Sequence, residues 1–209
     1  MRKKSISEFK DYIFWGKNPY TAFHNFTLSV DDKNAIKHSV LRAYPDMQLR
    51  TLSGLGKVEN ASKHLAKEEI MTVLASKIFD YLHDESIVDY NLWHSLICKD
   101  IADIFKKHTD FVLPFGKTQK LVNMSLKYVY CLDDACKVIH KFYDCHMALD
   151  SVILNWFKKQ SWGDTNASNW SAITEYEYQQ IQIAIRSYCK NKNTYPLLEE
   201  FELWLREKT

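Results

Sequence analysis

Between Glu59 and Phe105 apolar residues recur at helical spacing, first as Leu65, Ile70, Val73, Leu74, Ile78, Tyr81 and Leu82. After a break at Asp84-Glu85-Ser86 they resume as Ile87, Leu92, Leu96, Ile97, Ile101, Ile104 and Phe105. Each run puts one apolar stripe on a long helix, and so short a break predicts that the two helices lie antiparallel and cover each other's stripes. Five glycines and four prolines in 209 residues leave few of the turn residues that an all-β fold needs. With 46% hydrophobic residues the chain has ample material for a core. The expectation is one all-α globular domain over residues 1–209.

The rest of the chain reads the same way. Ser5 or Ser7 can cap a helix bearing Phe9, Tyr12, Ile13 and Phe14, which stops at Gly16 before Asn18-Pro19. Asp31 or Asp32 opens a second with Ile36, Val40, Leu41 and Tyr44, closed by Pro45; Thr51-Leu52-Ser53-Gly54-Leu55-Gly56 is a loop. Past Leu113-Pro114 a helix carries Leu121, Val122, Met124, Leu126, Tyr128 and Val129. Asp133 or Asp134 can cap a short helix through Val138, Ile139 and Phe142, and Asp150 one from Val152 to Phe157. A long helix through Ile173, Tyr176, Ile181, Ile185 and Tyr188 and a last one from Pro196 complete about nine helices.

The net charge of +2 does not demand a basic face, but charge is segregated along the chain. Lys106, Lys107, Lys117, Lys120 and Lys127 are opposed only by Asp110 between positions 106 and 127, whereas Glu199, Glu200, Glu202 and Glu207 make the end of the chain acidic. An odd number of cysteines and a start, Met1-Arg2-Lys3-Lys4, that no apolar run follows point to a reducing cytoplasm and free thiols. No stretch approaches the roughly 20 apolar residues of a membrane span.

Two features carry chemistry. Leu113-Pro114-Phe115-Gly116-Lys117-Thr118-Gln119-Lys120 is a tight turn running into a basic helix. If Gly116, Lys117 and Thr118 point backbone N–H groups outward there, the helix start and its lysines would dock a nucleic-acid phosphate, with Lys127 further along. The other reading is an ordinary interhelical turn with solvated lysines. About one supersecondary unit later, Asp150 stands at the head of the next apolar helix, where a carboxylate also serves as a plain N-cap.

A Leu-Pro-x-Gly turn, a lysine opening an apolar helix and an aspartate opening the next one resemble the helix–hairpin–helix DNA glycosylase superfamily. The likeness spans about 110–158, with Lys120-Leu121-Val122-Asn123 as the lysine helix and Met147-Ala148-Leu149-Asp150-Ser151-Val152-Ile153 as the aspartate motif; Ala148 stands where proline is common. The long spacing from Lys120 to Asp150, and a second lysine one heptad on at Lys127, are most similar to the archaeal 8-oxoguanine glycosylases. The resemblance implies a helix–hairpin–helix glycosylase-like fold and an enzyme that flips a damaged or modified base out of double-stranded DNA and cleaves its N-glycosidic bond, leaving an abasic site. Asp150 would be the catalytic carboxylate. Lys120, with Lys117 as its rival, would either attack C1′ as a deprotonated amine or leave that step to water. No cofactor is implied, and the enzyme would act as a monomer. Both repair and attack on modified phage DNA, such as DNA with glucosylated hydroxymethylcytosine, fit such an activity.

A flipped base needs planar walls, for which Trp15 and Trp93 are candidates. Cys131, Cys136, His140, Cys145 and His146 are zinc-type ligands without zinc-type spacing, which favours buried thiols over a metal. No H-E-x-x-H, G-x-S-x-G or P-loop signature occurs. The competing expectation is a helical module that binds nucleic acid or protein without catalysis, in which Asp150 is only a cap.

Overall fold

The computed structural model describes residue 6 and residues 27–206, and every regular element among them is helical. The α-helices are α1 (Lys33–Ala43), α2 (Asn60–His83), α3 (Tyr90–Thr109), α4 (Phe115–Val129), α5 (Ile139–Phe142), α6 (Ser151–Lys158), α7 (Glu175–Asn191) and α8 (Pro196–Arg206). Short 3-10 turns lie at Tyr44–Met47, Leu49–Thr51, Leu55–Lys57, Ala135–Val138 and Trp170–Ala172. Eight of the nine or so expected helices are thus present; the first expected one, apart from residue 6, lies outside the described residues, as does Trp15.

Helix starts follow from the side chains that precede them. Asp32 accepts from the Asn34 N–H, Asp89 from that of Leu92, and Thr174 with Glu177 forms a reciprocal capping box at α7. Asp134 does not cap: its carboxylate takes the Ser29 hydroxyl at 2.7 Å and the Val30 N–H at 2.8 Å, anchoring the chain ahead of α1. Glu69, early in α2, meets Lys107 and His108 at the end of α3, while Tyr81 packs on Tyr90 and Trp93 at its start. The two long helices are therefore antiparallel, as their stripes require.

α4 lies at the centre, touching α1, α3, α7 and the turns at Tyr44–Met47 and Trp170–Ala172. Every residue from Gly116 to Val129 is buried. One apolar cluster gathers α1 to α4, and a second gathers α6, α7 and Trp170; Phe115 packs against both. The approach of the Trp170–Ala172 turn depends on Gly116, because a β-carbon there would stand 2.1 Å from the Trp170 carbonyl oxygen. Gly116→Ala should cost about 1–3 kcal/mol through overpacking, outweighing the roughly 1 kcal/mol of helix propensity that alanine gains. Urea denaturation measures the balance, and a variant as stable as wild type would show that the turn gives way freely.

Candidate active site

The site is built on the seam between the two clusters, where the start of α6 meets α4. Asp150 caps α6 with one oxygen: Oδ1 accepts the N–H groups of Val152 at 2.9 Å and Ile153 at 3.0 Å. Its other oxygen, Oδ2, faces the Lys120 ammonium at 3.4 Å, both side chains being largely shielded. Capping therefore engages only half of the carboxylate, and a structural and a chemical role can coexist in one residue.

The segment leading to Asp150 is held residue by residue. Glu200 of α8 accepts the Ala148 N–H at 2.7 Å through Oε2. Gln119 of α4 grips Leu149 on both sides, donating to its carbonyl at 2.7 Å and accepting its N–H at 3.2 Å. Asn123 braces Gln119 at 3.1 Å and donates to the Tyr178 hydroxyl at 2.7 Å, which in turn meets His146 at 2.9 Å. Burial drives the His94 imidazole down to about 3 and that of His146 well below its ordinary range, so both rings beside Tyr178 are neutral.

Around Lys120 stand groups that the sequence did not single out. The Trp170 indole lies 4.6 Å from the Lys120 ammonium and 4.5 Å from that of Lys117, a cation–π arrangement with both. Lys117 donates to the Gln48 carbonyl at 3.2 Å and the Thr51 hydroxyl at 2.8 Å. Asp46, in the Tyr44–Met47 turn, accepts from the Tyr128 hydroxyl at 2.6 Å; burial raises its carboxyl, against the pull of that bond, Lys120 and Lys127. Lys127 and Glu200 form a buried ion pair at 2.7 Å, and burial raises the Glu200 carboxyl despite its partner.

Burial, with the neighbouring Lys120 as the smaller cause, draws the Lys117 amine from 10.5 down to about 8. Below pH 8 folding carries the cost of a shielded ammonium. Between about 8 and 10.5 the folded site releases its proton before the unfolded chain does, so stability rises with pH. In urea titrations at pH 7 and pH 10 the wild type should gain on Lys117→Met; an unchanged difference would show an undisturbed amine.

Several expectations need correction. Gly116, Lys117, Thr118 and Lys127 do not form a phosphate-docking surface: all four are buried, Thr118 bonding the Phe115 carbonyl and Lys127 facing Glu200. Of the acidic residues near the end of the chain, Glu199 and Glu200 are buried against lysines. Trp93 packs on Tyr81 and Tyr90 within the α2–α3 core, and the indole at the lysines is Trp170. Of the five free cysteines four are buried, but Cys136 is exposed. His140 pairs with Glu85, and no cluster of three or more metal-type ligands occurs among the described residues.

A carboxylate oxygen held at a helix start opposite a lysine can stabilise a developing cation. Comparison with protein-family models, curated proteins and solved structures returned no match. Among the described residues no helix is long and apolar enough to cross a membrane.

Proposed function

We propose that the protein is a DNA glycosylase that excises a damaged or modified base, with Asp150 as the catalytic carboxylate and Lys120 as its partner. The observation that carries this reading is the 3.4 Å approach of Lys120 Nζ to Asp150 Oδ2 across two helix starts, with Oδ1 alone doing the capping. N-glycosidic cleavage builds positive charge at C1′, and Asp150 Oδ2 is the oxygen left to meet it. Lys120, if it passes its proton to a leaving base or to solvent, becomes an amine able to attack C1′; otherwise water attacks. The substrate would be a modified base flipped out of double-stranded DNA, phage-type glucosylated hydroxymethylcytosine included.

The test is mass-spectrometric identification of free bases released from a panel of damaged and phage-modified duplex DNAs. A released base with a matching abasic site is the expected result, and no release from any member would sink the proposal. Borohydride trapping addresses Lys120 separately. A covalent DNA adduct that disappears in Lys120→Gln assigns the Schiff base, and an active enzyme that never traps leaves the attack to water.

A further inference from the structure

The burial of the α4 lysines leaves the contact with DNA to another surface, and one basic depression adjoins the site. The chain between Tyr44 and Lys57 runs through three 3-10 turns, the last of them entered at Gly54, whose φ of +86° suits glycine. Together with the first turns of α2 it encloses a depression of about 520 Å³. Arg50, Lys63 and Lys67 rim it, Tyr44, Leu52 and Leu55 supply its apolar floor, and no carboxylate lines it. Lys67 sits 5.5 Å from the Tyr44 ring, and none of the three cations makes an ion pair among the described residues. Some cations elsewhere have acids beside them, as Lys107 has Glu69, Lys137 has Asp31 and Asp134, and Lys192 has Glu199; here three share one hollow that no acid lines. Three uncompensated cations around one hollow make a local positive field in a chain of net charge +2.

The depression shares a wall with the candidate active site. On its inner side that wall gives the Gln48 carbonyl and the Thr51 hydroxyl to Lys117, and Asp46 to Tyr128. On its outer side it presents Leu49, Arg50 and Leu52. We propose that the depression rimmed by Arg50, Lys63 and Lys67 is where the backbone of duplex DNA docks, setting a strand against the wall behind which Asp150 and Lys120 stand. The proposal rests on the glycosylase reading for its partner. Cations at this rim contact phosphates without reading sequence, which suits an enzyme that selects by the flipped base.

Fluorescence anisotropy of the full chain with an unmodified duplex, followed from about 50 to 200 mM KCl, tests this surface. Wild type should bind with an affinity that falls as salt rises, by about 0.9 in log–log slope for each phosphate neutralised. Lys63→Glu/Lys67→Glu alters side chains at the rim of α2 and should bind at least roughly tenfold more weakly, with a slope shallower by about two phosphate contacts. Lys99→Glu/Lys190→Glu, on exposed positions of α3 and α7, makes the same change in net charge and should bind as wild type does. Equal loss in both double variants would reduce the effect to net charge and overturn the proposal, as would wild-type affinity and slope in the Lys63/Lys67 variant. If base release persists while that variant binds normally, only this docking surface fails. If wild type binds no duplex and releases no base, the glycosylase reading fails with it.

Discussion

Asp150→Asn should abolish base release while leaving a folded protein that still binds DNA. Asparagine caps a helix about as well as aspartate, so the bonds to Val152 and Ile153 persist. What disappears is the charge on Oδ2, the oxygen facing Lys120. Loss of a positioned carboxylate from such chemistry typically costs a factor of about 10² to 10⁴. Stability should fall by about 1.5–3 kcal/mol, the worth of a charge-assisted hydrogen bond. Asp150→Ala removes the cap as well and should be about 1 kcal/mol less stable than the asparagine variant, with no further loss of activity. Single-turnover base release and urea denaturation on the same preparations separate the two roles. An asparagine variant that excises at the wild-type rate would leave Asp150 as a cap and nothing more.

The helices were legible because apolar periodicity and capping chemistry are local properties. Asp32 and Asp150, both read as caps, start their helices by bonding N–H groups two or three residues away, whereas Asp89 and Thr174 start theirs just after the Ile87 and Ile173 with which the apolar runs began. The environment of α4 was not. Apolar residues at 121, 122, 124, 126, 128 and 129 cover one broad side of the helix, and Gln119, Lys120, Asn123 and Lys127 gather on the other, which is the ordinary pattern of a half-exposed helix. That polar side is buried by partners far along the chain, at Leu149, Asp150, Trp170 and Glu200. Glu200 carried a sign of its own: it falls on the side of α8 that buries Leu197, Phe201 and Leu203. Charge segregated in sequence is thus paired in space. Trp170 and Asp46 had no such mark, because their proximity to Lys120 and Tyr128 arises from how the turns at 44–47 and 170–172 pack on α4.

The Lys127–Glu200 pair is the contact whose loss should be felt most in the fold. Glu200→Ala would take the paired carboxylate from an ammonium that is 1% exposed and leave the Ala148 N–H without its acceptor. Breaking one side of a buried pair costs about 3–5 kcal/mol, a large part of the stability of an ordinary domain. Glu200→Gln keeps an acceptor for Ala148 and should lose less. Lys127→Met/Glu200→Gln removes the buried charge as well while keeping that acceptor, so it should recover most of the deficit. Denaturation midpoints should therefore rise in the order Glu200→Ala, Glu200→Gln, double variant; a double variant no better than Glu200→Ala would mean that packing, not charge, carries the cost. The consequence reaches the chemistry because Ala148 is two residues before Asp150 and Glu200, with Gln119 and Gln182, is one of the side chains that hold that approach. In the folded Glu200→Gln protein the carboxylate of Asp150 is intact but its support is altered, so turnover should drop while DNA affinity, set at a different surface, stays unchanged.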